Sequence, residues 1–168
     1  MNYEIRWAQE QDARDLGVVY SGSWKIIYKN IVPDKYLDMI TAEQRADYFK
    51  AAINSGIEET AVIEVDEQIV GFITLGCTRD EDLSEDYGEI WGIYLSPDYW
   101  RKGIGSMLLA WGQEELASRG FSRVVLWVLE DNTKARGFYE SMGFSFDGTV
   151  KAIDLGKELR EIRYEKRL

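Results

Sequence analysis

Glu89-Ile90-Trp91-Gly92-Ile93-Tyr94-Leu95 runs directly into Ser96-Pro97-Asp98-Tyr99-Trp100-Arg101-Lys102-Gly103-Ile104-Gly105-Ser106. The first segment is β-branched and aromatic and reads as a strand. The second is a basic loop with two glycines, and the residues after it, Met107 to Leu116, carry apolar side chains at helical spacing. A strand, a glycine loop and a helix in this order suit phosphate. The first turn of a helix has N–H groups without partners and the positive end of the helix dipole. Gly103 and Gly105 allow a sharp turn and close approach, and Arg101 and Lys102 add charge. A nucleotide-like anion is therefore expected at Arg101, Lys102, Gly103, Ile104, Gly105 and Ser106. Spacing disfavours a P-loop, which needs a Gly-Lys-Ser/Thr, and a dinucleotide fingerprint, whose third glycine falls on Leu108. An ordinary connection with a basic surface stays open on this loop alone.

Further along, Val124 to Leu129 reads as another strand. It is followed by Asn132-Thr133-Lys134-Ala135-Arg136-Gly137-Phe138-Tyr139-Glu140-Ser141-Met142-Gly143-Phe144, in which Asn132 can cap a helix that ends at Gly143. Taken together, the two motifs closely resemble the GCN5-related N-acetyltransferase (GNAT) family. Its core reads Arg/Gln-x-x-Gly-x-Gly/Ala, then a strand, then Asn-x-x-Ala-x-x-Phe-Tyr-x-x-x-Gly-Phe. The N-terminal pattern Ile5-Arg6-Trp7-Ala8, with Asp12-Ala13 and Ser23-Trp24-Lys25, extends the likeness over nearly the whole chain. One departure stands out. The family's Arg/Gln position falls on Trp100, with Arg101 one step later, so a charge contact from position 100 is absent.

Composition narrows the chemistry. The 168 residues are expected to form one domain, residues 1–168, large enough to bury roughly 70 % of the unfolded surface. A single cysteine, Cys77, excludes an intramolecular disulfide, and the absence of histidine excludes Ser-His-Asp hydrolysis, Cys-His proteolysis and His-ligated zinc. No metal is expected. The N-terminus lacks a signal sequence and no run approaches a membrane span, so a cytoplasmic protein is expected. Thirty acidic against twenty basic residues give a formal charge of −10. That balance repels nucleic acid and anionic lipid and favours cationic acceptors, although acidity also serves plain solubility.

Along the chain, the pattern predicts a strand over Tyr3–Trp7 and a helix from Asp12 to about Tyr28. A second helical region, about Lys35–Asn54, is expected in two pieces around the cap Thr41. Antiparallel strands follow over Ala61–Val65 and Ile69–Thr78, then a solvated acidic loop over Arg79–Gly88. Glu89–Leu95 and Arg123–Leu129 are expected to be parallel strands joined by a right-handed crossover through the helix after the glycine loop. The C-terminal part reads as a strand over Ser145–Val150, a charged linker and a last strand over Glu161–Lys166. The sum is an α/β fold, a mixed central sheet of about six to seven strands with helices on both faces, as in the acyl-CoA N-acyltransferase fold that the resemblance implies.

The resemblance makes the anion the pyrophosphate of acetyl-CoA, a co-substrate. It implies that the strand Glu89–Leu95 splays from Val124–Leu129 and that the pantetheine arm enters the gap, bonding to strand groups of Ile93 and Leu95. It places the general acid at Tyr139, whose phenol, with an unperturbed pKa near ~10, stays protonated at neutral pH. For the base, Glu89 is the single best candidate, since alternation puts it on the face of Trp91 and Ile93. Glu130, Asp131 and a water relay are the alternatives. Asn132 can cap its helix and also reach the cofactor's arm. Without histidine, Cys77 lacks an activating base for covalent catalysis, which favours direct transfer in a ternary complex.

The acceptor is expected to be a primary amine on a small molecule. Tyr20, Trp24 and Tyr28 recur at a spacing of four, a stripe that is either core or one wall of a cage for an organic cation such as a polyamine. A peptide or protein amine, a longer acyl donor and a non-catalytic acyl-CoA sensor are the other readings. Dimers are frequent in the resembled family, so a homodimer is one expected assembly.

Overall fold

The computed structural model describes residues 1–56 and 58–168. Seven strands form one sheet: β1 Tyr3–Trp7, β2 Glu59–Val65, β3 Gln68–Cys77, β4 Tyr87–Leu95, β5 Arg123–Leu129, β6 Ser145–Asp154 and β7 Glu158–Arg167. Their spatial order is β1-β2-β3-β4-β5-β7-β6. All neighbouring pairs are antiparallel except β4 and β5. The helices are α1 Ala13–Ile27, α2 Asp34–Leu37, α3 Ala42–Ser55, α4 Ile104–Ser118 and α5 Thr133–Ser141, with a 3-10 turn at Glu10–Asp12 ahead of α1.

Alternation along the strands sorts the side chains onto two faces. Ile73, Leu75, Ile90, Leu126, Val128, Ile162 and Tyr164 point to the side covered by α4 and α5, where Ile104, Leu108, Leu109 and Leu116 meet them. Val62 and Phe72 face the other side and pack against Leu16 and Val19 of α1 and Phe49 of α3. Trp24, Leu37, Leu129, Leu155 and Leu159 extend that second layer towards the C-terminal hairpin. Thr41 caps α3 by accepting from the N–H of Gln44 at 3.2 Å, as its position in the sequence predicts.

Three expectations are corrected. Lys151–Asp154 is not linker but the end of β6, which meets β7 in a hairpin. Asp154 accepts from the N–H of Gly156 at 3.0 Å, and Gly156 turns at φ 86°. The acidic loop after β3 is not merely solvated. Asp80 and Asp82 both receive hydrogen bonds from the buried Arg163, because a guanidinium held 5 % exposed needs carboxylates around it. Finally, alternation breaks inside β4. Gly92 faces Thr74 and Ile90 faces Leu75, which leaves Trp91 as an extra, bulged residue. The bulge puts Glu89 and Trp91 on the α1 side and Ile93 on the α4 side, so Glu89 and Ile93 lie on opposite faces of the sheet.

Candidate active site

The parallel pairing of β4 and β5 covers only Tyr87–Glu89 against Arg123–Val125. Beyond Glu89 the strands diverge. β5 continues its ladder with β7, and β4 continues with β3, so the facing edges of both strands are left without strand partners. A cavity of about 1480 Å³ occupies this split. It exceeds the roughly 300–1,000 Å³ that a single small ligand fills, and it reaches both faces of the sheet.

On the α4 side its wall is the glycine loop. Arg101, Gly103, Gly105 and Ser106 line it, with Asn132, Ala135, Phe138 and Tyr139 opposite. Gly103 has φ 79° and open space where a Cβ would stand, so its role is the left-handed turn that starts α4. At Gly105 a Cβ would come 3.1 Å from Leu95 Cδ1 and 3.6 Å from Phe138, so this glycine serves close packing. Among the described residues no hydrogen bond engages the N–H groups of residues 101 to 106, which leaves these donors available to a ligand. Lys102 and Ile104 stand differently. Lys102 is exposed, with its ammonium 5.3 Å from the Tyr99 ring centre, and the Ile104 side chain is fully buried in the core. Only the backbone of Ile104 is available to a ligand.

Asn132 caps α5, its Oδ1 accepting from the N–H of Ala135 at 3.2 Å, and it is buried on the cavity wall. Tyr139, half-buried beside Phe138 and Phe144, projects towards the split. Burial, followed by the neighbouring Tyr94, pushes its phenol well above the usual tyrosine range. It therefore stays protonated at any physiological pH. Leu95 and Ile93 line the β4 edge, and the carbonyl of Leu95 accepts from the indole N–H of Trp100 at 2.9 Å.

The α1 side of the cavity is the richer in charge. Glu89, fully buried, accepts from the Arg79 backbone N–H at 3.0 Å, from Arg79 Nε at 3.0 Å and Nη2, and from Thr78 Oγ1 at 3.5 Å. Its oxygens are filled, and the pair holds Arg79 over the Trp91 ring at 4.4 Å. Asp80 accepts from Trp127 Nε1 at 2.9 Å, and Lys151 lies 3.9 Å over the Trp127 ring. Trp24, Tyr28 and Tyr94 form the wall towards α1. The aromatic stripe thus divides. Tyr20 is packed against Trp24, Phe49 and the Arg45 guanidinium, whereas Trp24 and Tyr28 open on the cavity. Glu161 of β7 is the remaining carboxylate inside the wall, and Asp131 lies exposed at its rim.

The sequence brings forward the glycine loop, Asn132 and Tyr139, and these do share one cavity with Glu89, Ile93 and Leu95. Arg79, Tyr94, Trp127 and Glu161 do not stand out in the sequence. Glu161 alternates with the apolar Ile162 and Tyr164, which marks it only as facing away from that core. Cys77, at the exposed end of β3, is outside the cavity lining. Among the described residues no group of three or more His, Cys, Asp or Glu is placed to hold a metal ion, and no helix is long and apolar enough to cross a membrane.

A seven-stranded mixed sheet split between its two parallel strands, with a glycine loop at the mouth of the split, is the acyl-CoA N-acyltransferase fold. The chain belongs to the acetyltransferase (GNAT) family, whose description matches residues 24–144, and it is an acyltransferase. It is 34 % identical over 130 residues to an uncharacterised N-acetyltransferase of Bacillus subtilis, covering 76 % of this chain and 72 % of that protein. It is 25 % identical over 156 residues to a spermidine N(1)-acetyltransferase of Thermoplasma acidophilum, covering 89 % and 92 %. Among solved structures, the PaiA N-acetyltransferase of the same archaeon in complex with coenzyme A superposes with a TM-score of 0.80 at 25 % identity over the full length of both chains.

Proposed function

We propose that residues 1–168 act as one N-acetyltransferase domain that moves the acetyl group of acetyl-CoA directly to a primary amine in a ternary complex. The observation that carries this reading is the single cavity running through the β4/β5 split, with unpaired amide donors at one end and a carboxylate-lined aromatic chamber at the other. The N–H groups of residues 101 to 106 and the Arg101 side chain hold the diphosphate. The free edge of β4 at Ile93 and Leu95, with Asn132 across from it, lines the path of the pantetheine arm. Tyr139 hands its phenolic proton to the departing sulfur. Glu89 fixes Arg79 against Trp91 on the acceptor side.

For the acceptor, Trp24, Tyr28 and Tyr94 beside Glu89 and Glu161 suit a small organic cation, and polyamines are the preferred class. The relative named as a spermidine acetyltransferase supports that choice. A cytoplasmic enzyme, working as a homodimer, is the setting this reading carries.

The test is thiol release from acetyl-CoA across polyamines, amino acids, peptides and aminoglycosides, repeated with Tyr139→Phe. A turnover that falls about 10²-fold or more in the variant while coenzyme A still binds supports the reading. A wild-type protein that binds coenzyme A and releases no thiol with any amine is a sensor, and the reading fails.

A further inference from the structure

Of the carboxylates lining the α1 side of the cavity, only one is both shielded and unengaged. Glu89 is filled by Arg79 and Thr78, and Asp80 by Arg163 and Trp127. Asp131 is exposed to solvent. Glu161 is half-buried and makes no hydrogen bond or ion pair among the described residues. Its register fixes where it stands. It pairs with Leu129 at the open end of β5 and with Lys151 of β6, so it shares the face of Trp127 and Leu129 at the divergent end of the split. A carboxylate kept partly out of water with no partner costs stability, and such a cost is usual where the partner is a ligand.

We propose that Glu161 is the carboxylate that docks the acceptor's ammonium group and takes its proton. This rests on the acetyltransferase reading above and goes beyond it in replacing Glu89 as the base. Glu161 receives one proton from R–NH3+. The freed amine forms its N–C bond to the acetyl carbonyl as the C–S bond breaks. Tyr139 gives its proton to the sulfur and recovers the second nitrogen proton, and Glu161 then returns its own proton to water. The sum is one amide, one free thiol and one released proton.

The groups facing Glu161 make it a tunable base. Lys151 of β6 and Arg79 favour its charged form, whereas Glu89 and Asp80 oppose it, and the Tyr94 phenol of β4 lies within electrostatic reach. Burial is the largest influence, and the net effect raises its pKa above that of an ordinary glutamate. That direction improves a proton acceptor at neutral pH.

The experiment compares wild type, Glu161→Gln and Glu89→Gln from pH 6 to 10 with acetyl-CoA and spermidine, and with n-butylamine and a tripeptide as further acceptors. Coenzyme A affinity is measured calorimetrically for each protein. Glu161→Gln should bind coenzyme A as wild type does and lose about 10²-fold or more in kcat/KM at pH 7. The loss should shrink by roughly tenfold per pH unit as free amine becomes abundant. Glu89→Gln, which removes a negative charge facing Glu161, should shift the wild-type profile to lower pH without acquiring the tenfold-per-unit rise expected of Glu161→Gln. A Glu161→Gln enzyme with more than a third of wild-type kcat/KM and an unchanged profile overturns the proposal. If wild type acetylates none of these amines, the acetyltransferase reading fails on its own terms. The side-chain carboxyl resonance of Glu161 then decides: a shift of its titration on adding spermidine to the coenzyme A complex supports docking, and none overturns it.

Discussion

The indole N–H of Trp100 donates to the carbonyl of Leu95 at 2.9 Å, tying the start of the glycine loop back to the end of β4. The tie sets the distance between the loop's amide donors and the strand edge proposed above as the path of the pantetheine arm. Trp100 occupies the position at which the family pattern has Arg or Gln, so an indole donor stands where the pattern has a guanidinium or a carboxamide. Trp100→Phe removes the donor and keeps the ring. With one hydrogen bond worth about 1 kcal/mol and already made without ligand, the thermal midpoint should fall by roughly 2–4 °C, and calorimetry should show coenzyme A binding weakened because the loop is no longer tied to β4.

Arg163 joins three segments that the chain order keeps apart. It donates to Asp80 at 3.1 Å, to Asp82 at 2.9 and 2.8 Å, to Asp147 at 2.6 Å and to Thr149 at 3.0 Å. Removing the cation strands Asp80 and Asp147, both largely buried. Arg163→Met should cost about 3–5 kcal/mol, a fall in thermal midpoint of roughly 6–20 °C at this chain length. It should also release Trp127, seen as a change in tryptophan fluorescence.

Asp12 gives the acid limb of stability. Burial acts to raise its pKa, but two hydrogen bonds from Arg6, at 2.8 and 3.1 Å, and one from the Gln9 N–H outweigh it, and the carboxyl lies below the usual range. The unfolded chain takes up this proton first as pH falls. The stability Asp12 contributes is therefore complete above the ordinary carboxylate pKa of about 3.9 and is lost as pH drops through the lower folded value. In urea unfolding, Asp12→Asn should be less stable than wild type at pH 7, and the gap should close below about pH 4.

Glu161 should behave in the opposite sense. Its folded pKa is raised, chiefly by burial, so the native state holds the proton longer and stability declines as pH rises through the window above an unfolded value of about 4.3. Glu161→Gln should therefore raise the thermal midpoint at pH 7, with the gain vanishing below about pH 4. A residue kept for packing would lower the midpoint when replaced.

Much of the architecture was legible because it rests on local chemistry. Asn132 and Thr41 announce helix starts through side chains that can accept from a backbone N–H, and both do so. Arg123–Leu129 is apolar enough to read as a strand and has those bounds. The glycine loop and Tyr139 are separated in sequence by a whole strand and helix, yet their residue types at fixed spacing match the family pattern at both places. The β6–β7 hairpin was obscured by Lys151, Asp154, Lys157 and Glu158, because charge on an edge strand looks like linker. The bulge at Trp91 left no trace in composition, since a bulge is set by register against a neighbouring strand.

What the residues alone offered is a set of candidate parts: a basic glycine loop at Arg101–Ser106, a tyrosine at position 139 that matches a family pattern, and a chemistry without imidazole. Local spacing suffices for the first two, because each is written within a few consecutive positions, and composition suffices for the third. Which parts meet was decided only when the sheet closed. The β4/β5 split, the opposite facing of Glu89 and Ile93, the capture of Glu89 by Arg79, and the unengaged carboxylate of Glu161 all depend on strand pairing between distant segments. A one-residue slip in such pairing turns every side chain to the other face, so no local pattern can specify it.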